Sequence, residues 1–214
     1  EEFAVSRTGM SDTYRPDIVL FVNGIPLCVM ECKRPDIKDS LKQAISQHLR
    51  NQKEDGIRSL YVYSALLLAT NVNEVSYATT ATPEKFWSKW TEQFADKNAE
   101  ELYRYKLAEK VNEKRINPKM FGERYNYVRA DIEKKYKAPL TPSVQDAYIY
   151  NLCRPERLLG LMYGFTLYDD GIKKVARYQQ FFAVEEIIKT IQQNDSAGNR
   201  QGGVIWHTQG SGKS

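Results

Sequence analysis

Asp17, Glu31 and Lys33 sit at the ends of an otherwise apolar run, YRPDIVLFVNGIPLCVMECKRPD, residues 14–36. Side chains alternate along a strand, so Glu31 and Lys33 project from one face and Cys32 enters the opposite packing layer. Two carboxylates at one sheet end are able to hold a divalent cation through hard oxygen ligands. The chemistry that fits is hydrolysis of a phosphodiester. Asp17, Glu31 and the backbone carbonyl of Cys32 are the expected Mg²⁺ ligands, and the Lys33 ammonium is expected to orient water or stabilise charge developing at phosphorus. Register leaves one step open. A strict two-residue turn at Asn23-Gly24 sets Tyr14 or Arg15 opposite Lys33, and bringing Asp17 to Glu31 needs an offset or a splay of the strands. A surface Glu–Lys pair beside an Asp cap would use the same residues without chemistry. Charge at the end of an apolar strand is costly without a task, which favours a site.

A second group lies at the carboxyl end, where HTQGSGKS follows GVIW. Gly210, Ser211 and Gly212 form a loop whose amides can face a phosphate, Lys213 can reach the outer phosphates, and Ser214 can ligand Mg²⁺. This is a nucleotide-binding signal, although His207 stands where the usual pattern has its first glycine. Upstream, Arg177 and Gln180 are three apart in RYQQ at an expected helix start. They resemble the R-x-x-Q element of superfamily 2 helicases, whose glutamine reads the adenine edge.

The elements that must position these residues follow from pattern. Residues 17–22 and 25–31 read as strands about Asn-Gly, which supplies the positive φ angles of a tight turn. Leu41, Ala44, Ile45 and Leu49 recur at helical spacing, with Asp39 or Ser40 as N-cap. SLYVYSALLLATN and EVSYATT read as two further strands. Strand, strand, helix, strand, strand is an α/β order. From Pro83 the charge-rich stretch with Phe86, Trp87, Trp90 and Phe94 on one face reads as helical. Pro139 and Pro142 mark a boundary. The segments PSVQDAYIYNLCRPERLLGLMYGF and KKVARYQQFFAVEEIIKTIQQ show helical periodicity, and a polar loop from Asn194 to Gly203 leads into a strand, GVIWHT. Basic residues from Arg104 to Lys137 interleave with tyrosines, a pattern read as a solvated helical face in preference to a DNA-tracking surface.

Bulk properties are permissive. At 214 residues, with 42% hydrophobic content and a net charge of +4, the chain can bury a core, and its mild basic excess allows a polyanionic partner without requiring one. Cys28, Cys32 and Cys153 lack C-x-x-C spacing and read as reduced thiols, which suits the cytoplasm. The longest apolar runs are too short to span a membrane. The chain opens on Glu1 without a methionine and stops at Ser214 after the phosphate loop, so a fragment is expected.

A D…ExK hairpin, then a helical stretch, then DDGIKKVARYQQFFAVEEII and GGVIWHTQGSGKS, resembles the restriction (R) subunit of type I restriction-modification enzymes. The resemblance covers essentially the whole chain and is most specific over residues 151–214. It implies an α/β, restriction-endonuclease-like PD-(D/E)xK core with mixed sheet and flanking helices over residues 1–82. A helical extension and linker would follow over 83–140, and a RecA-like motor domain, truncated after the phosphate loop, over 141–214. It implies Mg²⁺-dependent cleavage of double-stranded, unmodified DNA, coupled in the full-length protein to ATP-driven translocation. Methyltransferase (M) and specificity (S) subunits would be partners. Asp17, Glu31 and Lys33 fall on the family's nuclease triad. Of its Q-x-x-x-Y element, Gln47 is the best match, with Asn51 at the tyrosine position and Gln43 competing; Gln47 would contact DNA or support the metal site. The alternative is a non-catalytic DNA-binding or assembly module with a vestigial triad.

Overall fold

Asn23 and Gly24 take positive φ, 51° and 80°, the pair of left-handed residues that a two-residue hairpin turn needs. They join β3 (Ile18–Val22) to β4 (Ile25–Cys32) in an antiparallel pair. The computed structural model describes residues 3–113, 130, 134 and 138–206. Ahead of this hairpin lies a short ribbon of β1 (Val5–Ser6) and β2 (Thr13–Tyr14). After β4 the chain crosses through α1 (Ser40–Asn51) and α2 (Arg58–Tyr63) before β5 (Leu66–Thr70) pairs parallel to β4. A crossover of this kind is what parallel pairing requires. β6 (Val75–Ala78) closes a mixed sheet of order β3-β4-β5-β6.

Both faces of the central strands are covered, which is why β4 and β5 read as continuous apolar runs. On one face Val29 and Leu67 meet Ile57, Leu60 and Tyr61, while Ala69 meets Ala44 and Ile45 of α1. On the other face Cys28, Met30, Leu66, Leu68 and Tyr77 meet Leu152, Leu158, Leu161 and Phe181. These last come from α4 (Val144–Cys153), α5 (Pro155–Gly164) and α6 (Tyr178–Ile191). Between α5 and α6 lies a hairpin of β7 (Thr166–Asp169) and β8 (Ile172–Val175). The sheet is α/β with helices on both sides, as the sequence pattern leads one to expect.

Four local expectations are corrected. SLYVY is the helix α2 and not the start of a strand: Ile57, Leu60, Tyr61 and Ser64 are buried while Val62 and Tyr63 are exposed, the spacing of a helix face. The stretch after Pro83 is not one helix. It makes a 3-10 turn over Glu84–Phe86, and then Ser88 exchanges backbone hydrogen bonds with Tyr77 at 2.8 and 3.0 Å, so the chain runs extended along β6. Helix resumes only at α3 (Lys97–Asn112), capped by Asp96. Residues 172–175 are strand, because Asp170 and Gly171 both take positive φ and turn the chain into a hairpin. Residues 203–206 form no strand, and the rest of GVIWHT lies outside the described residues.

Candidate active site

The hairpin carries an irregularity that decides the site. Val22 pairs with Ile25 and Phe21 with Pro26, but Leu20 then pairs with Cys28, leaving Leu27 as an extra residue on β4. This β-bulge slips the register by one, so that Val19 faces Val29 and Ile18 faces Met30. Continued one step further, the same register brings Asp17 to Glu31. Pro26, which has no N–H to offer a ladder, lies at the bulge, where proline is tolerated. The offset that strict pairing about Asn23-Gly24 denied is therefore built into β4.

Asp17 is held at the end of the strand by an N–H···O bond of 2.7 Å from the Cys32 amide to its Oδ2. Glu31 is fully buried on the face covered by α1. Its Oε2 accepts from Gln47 Nε2 at 2.5 Å and its Oε1 from Asn51 Nδ2 at 3.2 Å. Lys33 Nζ donates to Gln47 Oε1 at 2.5 Å. Gln47 thus bridges the lysine and the glutamate, one turn of α1 away from Asn51. Cys32 faces the other way, and its Sγ accepts from Gln145 Nε2 of α4 at 3.7 Å. The alternation read from the sequence holds through all three residues of ECK.

Burial pushes the Glu31 carboxyl up to about 8, and the nearby charge of Asp17 pushes in the same direction against the pull of Lys33. Burial likewise pushes the Cys32 thiol up to about 11. Beneath the site, His48 is fully buried and held down to about 4, so its ring is neutral. Its Nε2 donates to the Leu68 carbonyl at 2.9 Å, and its Nδ1 lies 3.1 Å from Tyr61 Oη. Neither His48 nor Tyr61 was singled out from the sequence. The helical spacing of Ile57, Leu60 and Tyr61, read there as strand, was the signal that could have found the tyrosine.

Among the described residues no three His, Cys, Asp or Glu side chains gather to hold a metal ion. The donors at the hairpin end are two carboxylates and a backbone oxygen. They fit a hard cation such as Mg²⁺, and the mutual repulsion of Asp17 and Glu31 is the property a bound cation would relieve. Beside Lys33 opens a groove lined by Asp39, Lys42, Gln43, Ser46, Gln47 and Arg50, with cations outnumbering the single carboxylate. Gln43 does not reach the carboxylates; it donates to the Lys38 carbonyl at 2.9 Å.

The second group is only partly within view. Arg177 caps the start of α6, and its N–H donates to Gln180 Oε1 at 2.9 Å. Gly210, Ser211, Gly212, Lys213 and Ser214 lie outside the described residues, as does most of the basic run between 114 and 137. No helix among the described residues is long and apolar enough to cross a membrane.

A mixed α/β sheet flanked by helices is compatible with a nuclease-like fold. Residues 1–86 match the family described as type I restriction enzyme R protein N terminus, and residues 179–214 match the SWI2/SNF2 ATPase family. The HindI type I restriction enzyme endonuclease subunit of Haemophilus influenzae is 28% identical over 207 residues, covering 93% of this chain and 16% of that protein. Two proteins of Methanocaldococcus jannaschii, assigned as the MjaIXP and MjaVIIP endonuclease subunits, are 28% and 30% identical over 207 residues. The match covers 94% and 93% of this chain, and 17% and 16% of theirs. The chain is similar to type I restriction enzyme R proteins over nearly its whole length and spans about one-sixth of the length of these relatives. Asp17, Glu31, Lys33 and Gln47 all fall within the segment matched to the family's N terminus.

Proposed function

We propose that this chain carries the Mg²⁺-dependent DNA endonuclease site of a type I restriction enzyme. Its later part, from about residue 141, would begin an ATP-driven motor that, with Mg²⁺-bound ATP, moves unmodified DNA before cleavage. The observation that carries the nuclease reading is the β-bulge opposite Leu20, which directs Asp17 toward Glu31 on the face that also presents Lys33.

Asp17, Glu31 and the Cys32 carbonyl would hold Mg²⁺, which when bound supplies activation of water and neutralisation of phosphate charge. Lys33 places an ammonium where negative charge develops as the phosphodiester is attacked. Gln47 fixes the separation of Lys33 and Glu31 through one carboxamide, donating to the acid and accepting from the base. The groove along α1 would take the DNA strand, with Lys42 and Arg50 on its phosphates. Arg177 and Gln180 would meet the nucleotide base, and residues 210–214 its phosphates. Sequence recognition would belong to the S subunit and methylation to the M subunit.

The test is cleavage of a plasmid carrying the recognition sequence by the assembled complex with ATP and Mg²⁺. Asp17→Ala, Glu31→Ala and Lys33→Ala are each expected to abolish cleavage while DNA-stimulated ATP hydrolysis continues. Cleavage at the normal rate in all three variants would refute the assignment.

A further inference from the structure

Behind Glu31 runs a chain of polar side chains whose donors and acceptors all have one consistent direction. The Leu68 carbonyl can only accept, so His48 Nε2 carries the proton at 2.9 Å. In the neutral ring Nδ1 is then an acceptor, and the Tyr61 hydroxyl 3.1 Å away must be its donor. That leaves the lone pairs of Tyr61 Oη for Asn51 Nδ2, at 3.4 Å. The other end of the Asn51 amide is fixed independently. Arg50 Nε and Nη2 lie 3.2 and 3.0 Å from Asn51 Oδ1, and a guanidinium has donors only. Both constraints turn the same NH₂ group toward Glu31 Oε1, 3.2 Å away.

We propose that Asn51, aligned by Tyr61 and His48 on one side and Arg50 on the other, is a positioning residue that sets the plane of the Glu31 carboxylate for metal binding. This rests on the reading of Glu31 as a metal ligand given above. Gln47 takes one oxygen of Glu31 and Asn51 the other, so rotation of the carboxylate about its Cγ–Cδ bond breaks both bonds at once. The two amide donors satisfy the oxygens without cancelling their charge, which leaves the carboxylate able to ligand a cation. The hydroxyl in this network comes from α2, ten residues beyond Asn51, and the amide from α1, so α2 acts on Glu31 only through the Asn51 amide, which reaches both Tyr61 Oη and Glu31 Oε1. All of Glu31, His48 and Asn51 are inaccessible to solvent and Tyr61 likewise, so water does not substitute for a missing member. Outer partners of metal ligands act in this way, and their loss commonly weakens metal binding 10- to 100-fold.

The experiment is Mn²⁺ binding to the full-length protein without nucleotide, read from the electron paramagnetic resonance of free Mn²⁺, together with thermal unfolding. Asn51→Leu is expected to weaken binding roughly 10- to 100-fold. Tyr61→Phe keeps the ring and removes only the hydroxyl; it is expected to weaken binding severalfold and, because His48 Nδ1 and one Asn51 N–H lose their partner, to lower the melting temperature by a few degrees. A purely structural network predicts the lower melting temperatures with Mn²⁺ affinity untouched, and that result would overturn the proposal. Glu31→Ala separates the two levels. If it abolishes a Mn²⁺ site that Asn51→Leu and Tyr61→Phe leave intact, only the positioning role falls. If it changes nothing, the metal site falls as well.

Discussion

Replacing Glu31 by glutamine gives a pH dependence whose sign and size follow from two buried groups that oppose each other. The Glu31 carboxyl, ordinarily near 4.5, is raised to about 8, chiefly by burial and then by Asp17. Between those values the metal-free fold keeps a proton that the unfolded chain has shed. Stability therefore falls as pH rises, by ~1.4 kcal/mol per pH unit. His48 acts in the other direction. Its ring, ordinarily near 6.5, is lowered to about 4 by burial, so between those values the unfolded chain holds a proton that the fold refuses. Raising the pH there favours the fold with the same slope. The two contributions cancel from about 4.5 to 6.5, and above 6.5 Glu31 acts alone, removing about 2 kcal/mol by pH 8.

Urea unfolding of the 214-residue chain in a chelating buffer measures this directly. With a slope of about 2 kcal/mol per molar urea for a chain of this size, the midpoint should drop by about 1 M between pH 6.5 and 8. Glu31→Gln should abolish that drop and uncover the His48 limb, so that stability climbs from pH 4 to 6.5 and then stays level. Its absolute level is less informative. A glutamine has one acceptor oxygen and one NH₂ group, so its NH₂ must face either Gln47 Nε2 or Asn51 Nδ2, a mismatch of about 1–3 kcal/mol at every pH. The slope is the diagnostic. A midpoint in the unsubstituted chain that does not move between pH 6.5 and 8, or one that falls equally in Glu31→Gln, would refute the reasoning.

Arg157 is 7% exposed, pairs with Glu92 at 2.8 Å and stacks over Trp90 and Phe181 at 4.9 and 4.5 Å. Arg157→Ala strands most of the Glu92 charge, with Arg154 left 3.5 Å from it, and should cost about 3 kcal/mol in urea unfolding; a loss under about 1 kcal/mol would show that Arg154 takes over. Gln47→Ala separates Lys33 from Glu31 without touching either, and should slow DNA cleavage by the assembled complex roughly 10- to 100-fold. An unchanged rate would remove Gln47 from the site. Lys42→Ala should make the salt dependence of DNA binding by the full-length protein shallower by about 0.9 in log–log slope, and an identical slope would place the DNA away from this groove.

The hairpin, α1 and the charged end of β4 were legible because each rests on a short-range rule: Asn-Gly turns the chain, Leu41, Ala44, Ile45 and Leu49 repeat at helical spacing, and ECK alternates across the sheet. The Asp17–Glu31 pairing was not, because it depends on a bulge, and Leu27 is as apolar as its neighbours, so nothing in its type marks it as the extra residue. Pro26 was the available hint. α2 was missed because an aromatic, β-branched run such as SLYVY has strand propensity, and only Ile57 just outside it completes the helical spacing. The Asp170-Gly171 turn was a local signal overlooked beside the helical periodicity that follows it. Gln47 was identified as the best candidate on α1, whereas its bridging of Lys33 and Glu31 depends on how α1 lies across the sheet, which no local pattern specifies.

Glu31 is hard to explain as part of a fold alone. Among the described residues it makes no direct ion pair: Lys33 reaches it through Gln47, and Arg50 through Asn51. An acid placed there for stability would be expected to touch a cation, since a buried charge without one is costly and an apolar residue of similar volume is often as good or better. Amides instead satisfy both oxygens, and the charge that acts on it most strongly is Asp17, which has the same sign. The energetic cost is thus concentrated on one side chain, while the packing around it, from Val29 and Leu67 to Ile57 and Leu60, is uninterrupted. Such a site loses stability in the metal-free state at neutral pH and, on the function proposed above, would regain it on binding a divalent cation between Asp17 and Glu31. On that proposal, the cost of burying the carboxylate and its capacity to bind an ion would have the same physical origin.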